Sequence, residues 1–592
     1  MSQIFQSHGG KSKQATAPFS PALAAAQPAP GDISADEQGD FGYLVPPLDA
    51  PDNYLPVGTG TVDELDELGN LMIDQSLGNN VDATADSNLP PVLTYWGQFL
   101  DHELTARTDR ESSLTSITNP HPPNAPSTIE AQLKNARTPR FDLDSVYGGV
   151  PLGTGVSTDV STLMFGMRHP VHQEKMRVGT AHGAGPLPDG LDPHRDLPRY
   201  GQVQAEVREA ALRLAEASMP SEDFQKFSDN LDGRALIGDM RNDENLIVAQ
   251  FHLSFLRFHN RVVDFLNANN AGWIADYHSA KTLTRLHYQW LIIEGYLKQV
   301  CDPDVVDRIL DNRASHFFKF RAECDDRQQQ RRLGNALPLE FSVAAYRFGH
   351  TMVRNVYDYN SNFGRPGNGI LPNAPFDQIF AFTGGGGFRG LPRVPENWVI
   401  DWSRFVGTNP HDSSDGEPAR VARRIDTELA PPLGSMVNEA NDETDLAVKG
   451  LFKHLARRNL RRGYNLKLPT GQAAHSYLKQ HGAVNSDPIT DVGSLFDAKP
   501  GLQSFLRNSN SRLHERTPLW FYCLAEAENA GGNRLGELGS WIVASTFIGV
   551  LLSDPESALT NGFTPDQSPL RMPDGTPIDT IAKWMQFALV ME

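Results

Sequence analysis

Apolar and polar positions recur along this chain with periods that change from block to block, and the periods predict where helices run. From Thr61 to Ile73 apolar residues fall at Val62, Leu65, Leu68 and Met72 with acids between them, which is amphipathic helical spacing. The stretch Leu89 to Thr105 opens on two prolines, suited to a helix start, and continues through Trp96, Phe99 and Leu100. At about 100° per residue, Gln98, Asp101 and His102 form one polar face on this apolar segment, while Glu103 points roughly 140° away from Gln98. Residues 243 to about 268 are apolar nearly all round, which predicts a long buried helix with Asn242 as its cap and Asp243 and Glu244 in its first turn. Further helices are predicted over 202–218, 287–299, 337–356, 445–461, 518–527 and 540–552. In the segment 337–356, Phe341, Ala345, Phe348, Met352 and Val356 share one side.

Two stretches break the pattern. Residues 106–200 and 358–420 are dominated by Pro, Gly, Asn and Thr, so they read as long irregular loops, and ordered loops of that length are functional or pinned by something. The glycine run 384–387 lacks the Lys-Ser/Thr helix start of a phosphate loop and reads as a turn. Residues 1–55 carry few large apolar side chains, so a disordered or extended arm is expected there, with 56–592 forming the folded body. With few strands and no repeat, the fold class is mainly α: one large domain with long irregular loops and few short strands.

Composition narrows the partners. The chain has 592 residues, net charge -19 and pI near 5.4, which argues against nucleic acid and anionic membrane surfaces. No apolar run approaches the roughly 18 residues of a membrane span, and the start of the chain lacks a signal-peptide core. A soluble protein is expected, exported by a route without a cleaved signal peptide, with the cytoplasm as the alternative. Cys301, Cys324 and Cys523 make neither a disulfide framework nor a zinc cluster and read as buried free thiols.

Polar groups set into apolar helices need partners or a function. Besides Gln98, Asp101 and His102, three stretches raise that question. Thr138, Asp142 and Asp144 bring oxygen atoms at the close spacing a hard cation wants, although an isolated Asp-x-Asp is more often a solvated turn. Arg241 stands just before a buried helix N-terminus, where a cation is not locally favoured; on an exposed helix it would pair with Glu244. His350 follows a glycine that lets a flat group approach, yet most histidines fill surface or core, and His252 and His259 compete on one helix face.

Taken together, Trp96-Gly-Gln-Phe-Leu-Asp-His-Glu103, Thr138-Pro-Arg-Phe-Asp-Leu-Asp-Ser-Val-Tyr-Gly148, Arg241-Asn-Asp-Glu244 and Tyr346-Arg-Phe-Gly-His-Thr-Met-Val353 resemble the motifs of the animal-type haem peroxidases, the peroxidase–cyclooxygenase superfamily. Leu455 to Gly463 followed by Leu468-Pro-Thr-Gly471 resembles a further family landmark, with Tyr464 to Lys467 where animal members carry Arg-Asp-His-Gly. Residues 516–520 and 542–552 resemble the carboxy-terminal helices of a bacterial-type branch, so the likeness runs from about 85 to 592. The resemblance implies that His102 is the distal acid/base, that Gln98 holds peroxide and water, and that Arg241 polarises the peroxide. It further implies His350 as haem-iron ligand, Asp101 and Glu244 as ester links to haem b, and one Ca²⁺ held by Glu103, Thr138, the Arg140 carbonyl, Asp142 and Asp144. Glu103 stands where the family more often has Asp, one methylene shorter. Asn245 occupies the place of a methionine that forms a sulfonium link in one mammalian branch, so that link is not expected. Asn438 is the candidate for the asparagine that orients His350. The implied reaction is reduction of hydrogen peroxide with oxidation of small donors (phenols, halides or thiocyanate) through an iron-oxo intermediate.

Two other readings compete. A fatty-acid dioxygenase of the same superfamily carries a tyrosine three residues before the proximal histidine; here that place is Arg347, and Tyr346 faces another side. A calcium-stabilised adhesion or interaction protein without catalysis has no need of Gln98, His102, Arg241 and His350 together in a core.

Overall fold

The apolar segment predicted to be buried forms the helix Leu246–Asn269, and its neighbours are arranged along it. The computed structural model describes residues 39–74, 85–106, 108, 110–149, 157–183, 185–188, 190–219, 221–269, 272–327, 335–363, 374–384, 393–407 and 420–591. The helix Val92–Leu104 packs on Leu246–Asn269 through aromatic rings: Phe99 stacks on Phe255 at 4.6 Å, and Trp96 lies 6.2 Å from Phe251. Tyr277–Leu291 runs beside the same helix. Leu519–Asn529 and Glu537–Ser553 pack on each other and on the turn Ala345–His350. Mainly α architecture is therefore correct, with only short strands among the described residues.

Several boundaries differ from expectation, each for a tertiary reason. The long helix begins at Leu246, and Asn245, not Asn242, caps it by accepting from the Val248 N–H at 2.9 Å. Residues Met240–Asp243 form a separate 3-10 turn capped by Asp239. Asp243 is unavailable to a first turn because its carboxylate receives Arg199 at 2.5 Å and the Gly384 N–H at 2.8 Å. The single helix expected over 337–356 is instead strand Ala336–Pro338, a wide π-type turn Glu340–Ala344, and a tight 3-10 turn Ala345–His350. Winding changes at Ala344, and Val356 belongs to strand Val356–Tyr357. The segment 445–461 is two helices, Leu446–Lys453 and Leu455–Asn465, broken at His454, whose side chain caps the second. Of the glycine run, 385–387 lie outside the described residues.

The arm expected over 1–55 also needs correction where it is described. Strand Gly39–Gly42 pairs antiparallel with Lys134–Asn135 and parallel with Ala336–Pro338. Tyr43, Leu44 and Val45 then enter the core, and Leu44 and Val45 donate N–H bonds of 2.9 and 3.0 Å to the Glu340 carboxylate. A sheet ladder and one buried acid hold a segment whose composition looked too poor to pack. Cys301, Cys324 and Cys523 are buried free thiols.

Candidate active site

On helix Val92–Leu104 every residue is buried except Gln98 and Asp101, which sit three apart on one face. Gln98 accepts from Asn245 Nδ2 at 2.9 Å, and Asp101 Oδ1 accepts from Thr105 Oγ1 at 2.8 Å. His102 is fully buried, and its Nδ1 donates to Asn242 Oδ1 at 2.7 Å. Asn242 Nδ2 in turn donates to His252 Nδ1 at 3.0 Å. Asn242, expected only as a helix cap, is thus the side chain that meets the His102 ring.

Arg241, expected to polarise peroxide, is engaged by backbone carbonyls and by Asp239. Its Nη2 donates to the His102 carbonyl at 2.8 Å, its Nη1 to the Thr105 carbonyl at 2.7 Å, and Nε and Nη2 to Asp239. These carbonyls belong to the last turn of the distal helix, which lacks intrahelical donors and carries negative dipole charge. A guanidinium fits both needs, so Arg241 fixes the helix end behind His102.

Glu103 points away from Gln98, as its spacing requires, into a loop of acids. Ligand oxygens of Glu103, Asp142 and Asp144 all lie within 4.8 Å of one another. Leu143, between the two aspartates, adopts a left-handed φ of 61°, and its N–H and that of Ser145 donate to Glu103 at 2.8 and 3.2 Å. Burial, with Asp144 nearby, pushes Glu103 up to about 8; burial, against the pull of Arg137, pushes Asp144 up to about 7. Three clustered carboxyls, with Glu103 and Asp144 resisting ionisation, are a donor set that a hard divalent cation would satisfy. Arg137, which no motif singled out, pairs with Asp144 and approaches Glu103 at 3.7 Å and Asp239 at 3.4 Å. Asp239 then joins Arg137 to Arg241, so buried charge runs from the acidic loop to the distal helix end.

On the other side His350 ends the 3-10 turn Ala345–His350. Its Nδ1 receives Asn459 Nδ2 at 3.0 Å, and Asn459 Oδ1 accepts from Arg347 Nη1 at 2.9 Å. Asn438 is therefore not the partner; its side-chain oxygen is buried without one. The correct residue stood inside the landmark Leu455 to Gly463. Tyr346 OH donates to the Gly97 carbonyl at 3.0 Å, which draws this turn against the distal helix.

One pattern joins these segments. Along 241–256 only Glu244 escapes burial, and along 336–352 only Gly349 and His350 do; a side chain at Gly349 would meet nothing within 4 Å. On three otherwise buried segments, the partly exposed positions are thus Gln98, Asp101, Glu244, Gly349 and His350. An imidazole beside an open glycine, two carboxylates and an amide fit a haem with one axial histidine and two ester links. Thr138 and Arg140 lie in the acidic loop, with the Arg140 N–H bonded to the Thr138 carbonyl at 2.8 Å.

A family model for the animal haem peroxidases matches residues 195–380, a stretch that holds Arg241, Glu244 and His350. A peroxidase-like protein of Margaritifera margaritifera is 26% identical over 293 residues, covering 49% of this chain and 35% of that protein. A peroxidasin homolog of Homo sapiens is 24% identical over 341 residues, 54% of this chain and 22% of that protein. The matches thus span 35% or less of these relatives' own length. The solved structure of peroxidase A from Dictyostelium discoideum shares the fold at TM-score 0.54 and 16% identity, over 95% of this chain and 96% of that one.

Proposed function

We propose that this chain, which belongs to the animal-type haem peroxidase superfamily, reduces hydrogen peroxide and oxidises small donors such as phenols, halides or thiocyanate. The observation that carries the reading is that Gln98, Asp101, Glu244, Gly349 and His350 are the partly exposed positions on three segments that are otherwise buried. When bound, haem supplies the redox chemistry, and the protein supplies orientation and electrostatics. His350 would hold the iron through Nε2 with Nδ1 protonated, which requires the Asn459 side chain 3.0 Å away to turn its oxygen, now held by Arg347, to the ring. His102 takes a proton from one peroxide oxygen and returns it to the other. Gln98, steadied by Asn245, orients peroxide and water. Arg241 holds the distal helix end so that His102 keeps its place. Asp101 and Glu244 would form the ester links, and Glu103, Asp142 and Asp144, with Thr138 and the Arg140 carbonyl, would hold calcium. No helix among the described residues is long and apolar enough to cross a membrane.

The test is a spectrum and a turnover assay on protein purified with haem supplied. A Soret band that survives acid-acetone extraction, with phenol oxidised only when peroxide is added, supports the reading. Absence of the band overturns it. Oxygen uptake on linoleate without peroxide would replace it with the dioxygenase reading.

A further inference from the structure

We propose that Asn242 is a positioning residue that fixes the tautomer of His102, and that His252 holds the Asn242 amide in the orientation this requires. The proposal rests on the peroxidase reading above and goes beyond it. His102, Asn242 and His252 are each 0% exposed and joined by bonds of 2.7 and 3.0 Å. Asn242 is spared other duties: its main-chain N–H goes to the Asp239 carbonyl at 3.0 Å, and helix capping falls to Asn245.

The direction of the amide decides the chemistry. With Oδ1 toward His102, Nδ1 of that ring must carry the proton, and Nε2 is unprotonated and basic. The same orientation serves the imidazolium after proton uptake, since Nδ1–H still donates. A reversed amide would point one N–H at another each time His102 became charged. His252 opposes the reversal while its proton stays on Nε2. Its Nδ1 accepts from Asn242 Nδ2, its Nε2 is buried without a partner, and burial pushes the ring down to about 3, so it stays neutral. Phe99 meets the His252 ring edge-on at 6.0 Å and steadies it. The charged groups around this relay are Arg241 on the His102 carbonyl, Asp239 beyond it, Asp101 and Glu103 flanking His102, and Arg137 on Glu103. None of them is altered by changes at 242 or 252.

The experiment measures cyanide association with the ferric haem-loaded protein between about pH 4 and 8, because hydrogen cyanide must lose its proton to the distal base. Asn242→Asp keeps an acceptor and adds charge, so the profile's midpoint should rise by about one unit or more. Asn242→Ala removes the acceptor, so the midpoint should fall and association should slow by about tenfold or more. His252→Leu should move the midpoint as Asn242→Ala does, whereas His252→Gln, which can still accept from Asn242, should keep the wild-type profile. A merely structural role would not move Asp and Ala variants in opposite directions. Unmoved midpoints, or shifts of one sign, with the Soret band intact overturn this proposal alone. If Asn242 variants do not fold, the His252 pair decides it by the same criterion. A wild-type protein without a Soret band overturns both this proposal and the peroxidase reading.

Discussion

On the distal side His102 is fixed from several directions: its ring by Asn242, its carbonyl by Arg241, and its neighbour Glu103 by the loop around Leu143. His350, by contrast, ends a tight turn and is partly buried, with Asn459 on its ring. The two amides also face opposite ways. Asn242 turns its oxygen to His102, whereas Asn459 turns its N–H to His350 because Arg347 occupies its oxygen. The difference teaches that His102 is held by protein contacts on its ring, carbonyl and neighbour, whereas His350 has fewer such contacts and, on the proposed function, would gain rigidity from the iron. Proton transfer gains from preorganisation, and a metal–imidazole bond supplies its own rigidity.

The largest effect should come from the preset side. His102→Leu should retain haem and slow the reaction with peroxide by about 10²–10⁴-fold in stopped flow. A slowing of less than about tenfold would place the acid/base elsewhere.

Next is the charge that braces it. Asp239→Asn leaves Arg137 and Arg241 buried with less compensation, which should cost about 3–5 kcal/mol in denaturant unfolding. An unchanged unfolding midpoint would mean the network is incidental.

The proximal side should respond more mildly, and in two directions. Asn459→Leu should weaken haem retention about 10–100-fold, and Asn459→Asp, a permanent acceptor, should strengthen the iron–imidazole bond. Equal effects of both changes would show that residue 459 does not act on His350 as an acceptor once the iron is bound.

The smallest effect concerns calcium and pH. In the ion-free protein Glu103 and Asp144 are raised to about 8 and about 7, so the folded state binds more protons than the unfolded one. Their contribution is full at low pH and is lost as pH climbs from about 5 to 8. With a chelator, Tm should fall across that window; with calcium the fall should flatten, and calcium binding should release protons. Glu340 and Asp426, raised to about 7 by burial, contribute alike in both conditions, so the difference reports the loop. A chelator-independent profile would argue against an ion there.

Reading the chain recovered the long-range plan wherever chemistry followed a period. The face of Gln98 and Asp101, the separate aim of Glu103 and the buried helix after Asn245 all follow from helical geometry. The turns before His350 were not legible, because a wide turn followed by a tight one uses the same apolar residues as an α-helix. Asn242 obeyed a local capping rule until a distant histidine claimed its side chain. Asn459 lay within a recognised landmark, but only three-dimensional proximity shows which polar residue there meets His350. Arg137 carries no local signal, since its partners Asp144 and Asp239 are brought together by folding. Residues 39–55 joined the body through strand pairing that composition does not encode.

The central claim is that His350 ligates the iron of a haem whose other face belongs to His102. Resonance Raman of the reduced protein reads this directly through the iron–imidazole stretch. The band should be present in wild type and in His102→Leu, absent in His350→Gly, and restored to His350→Gly by added imidazole. A band that survives in His350→Gly, or disappears in His102→Leu, would contradict the account.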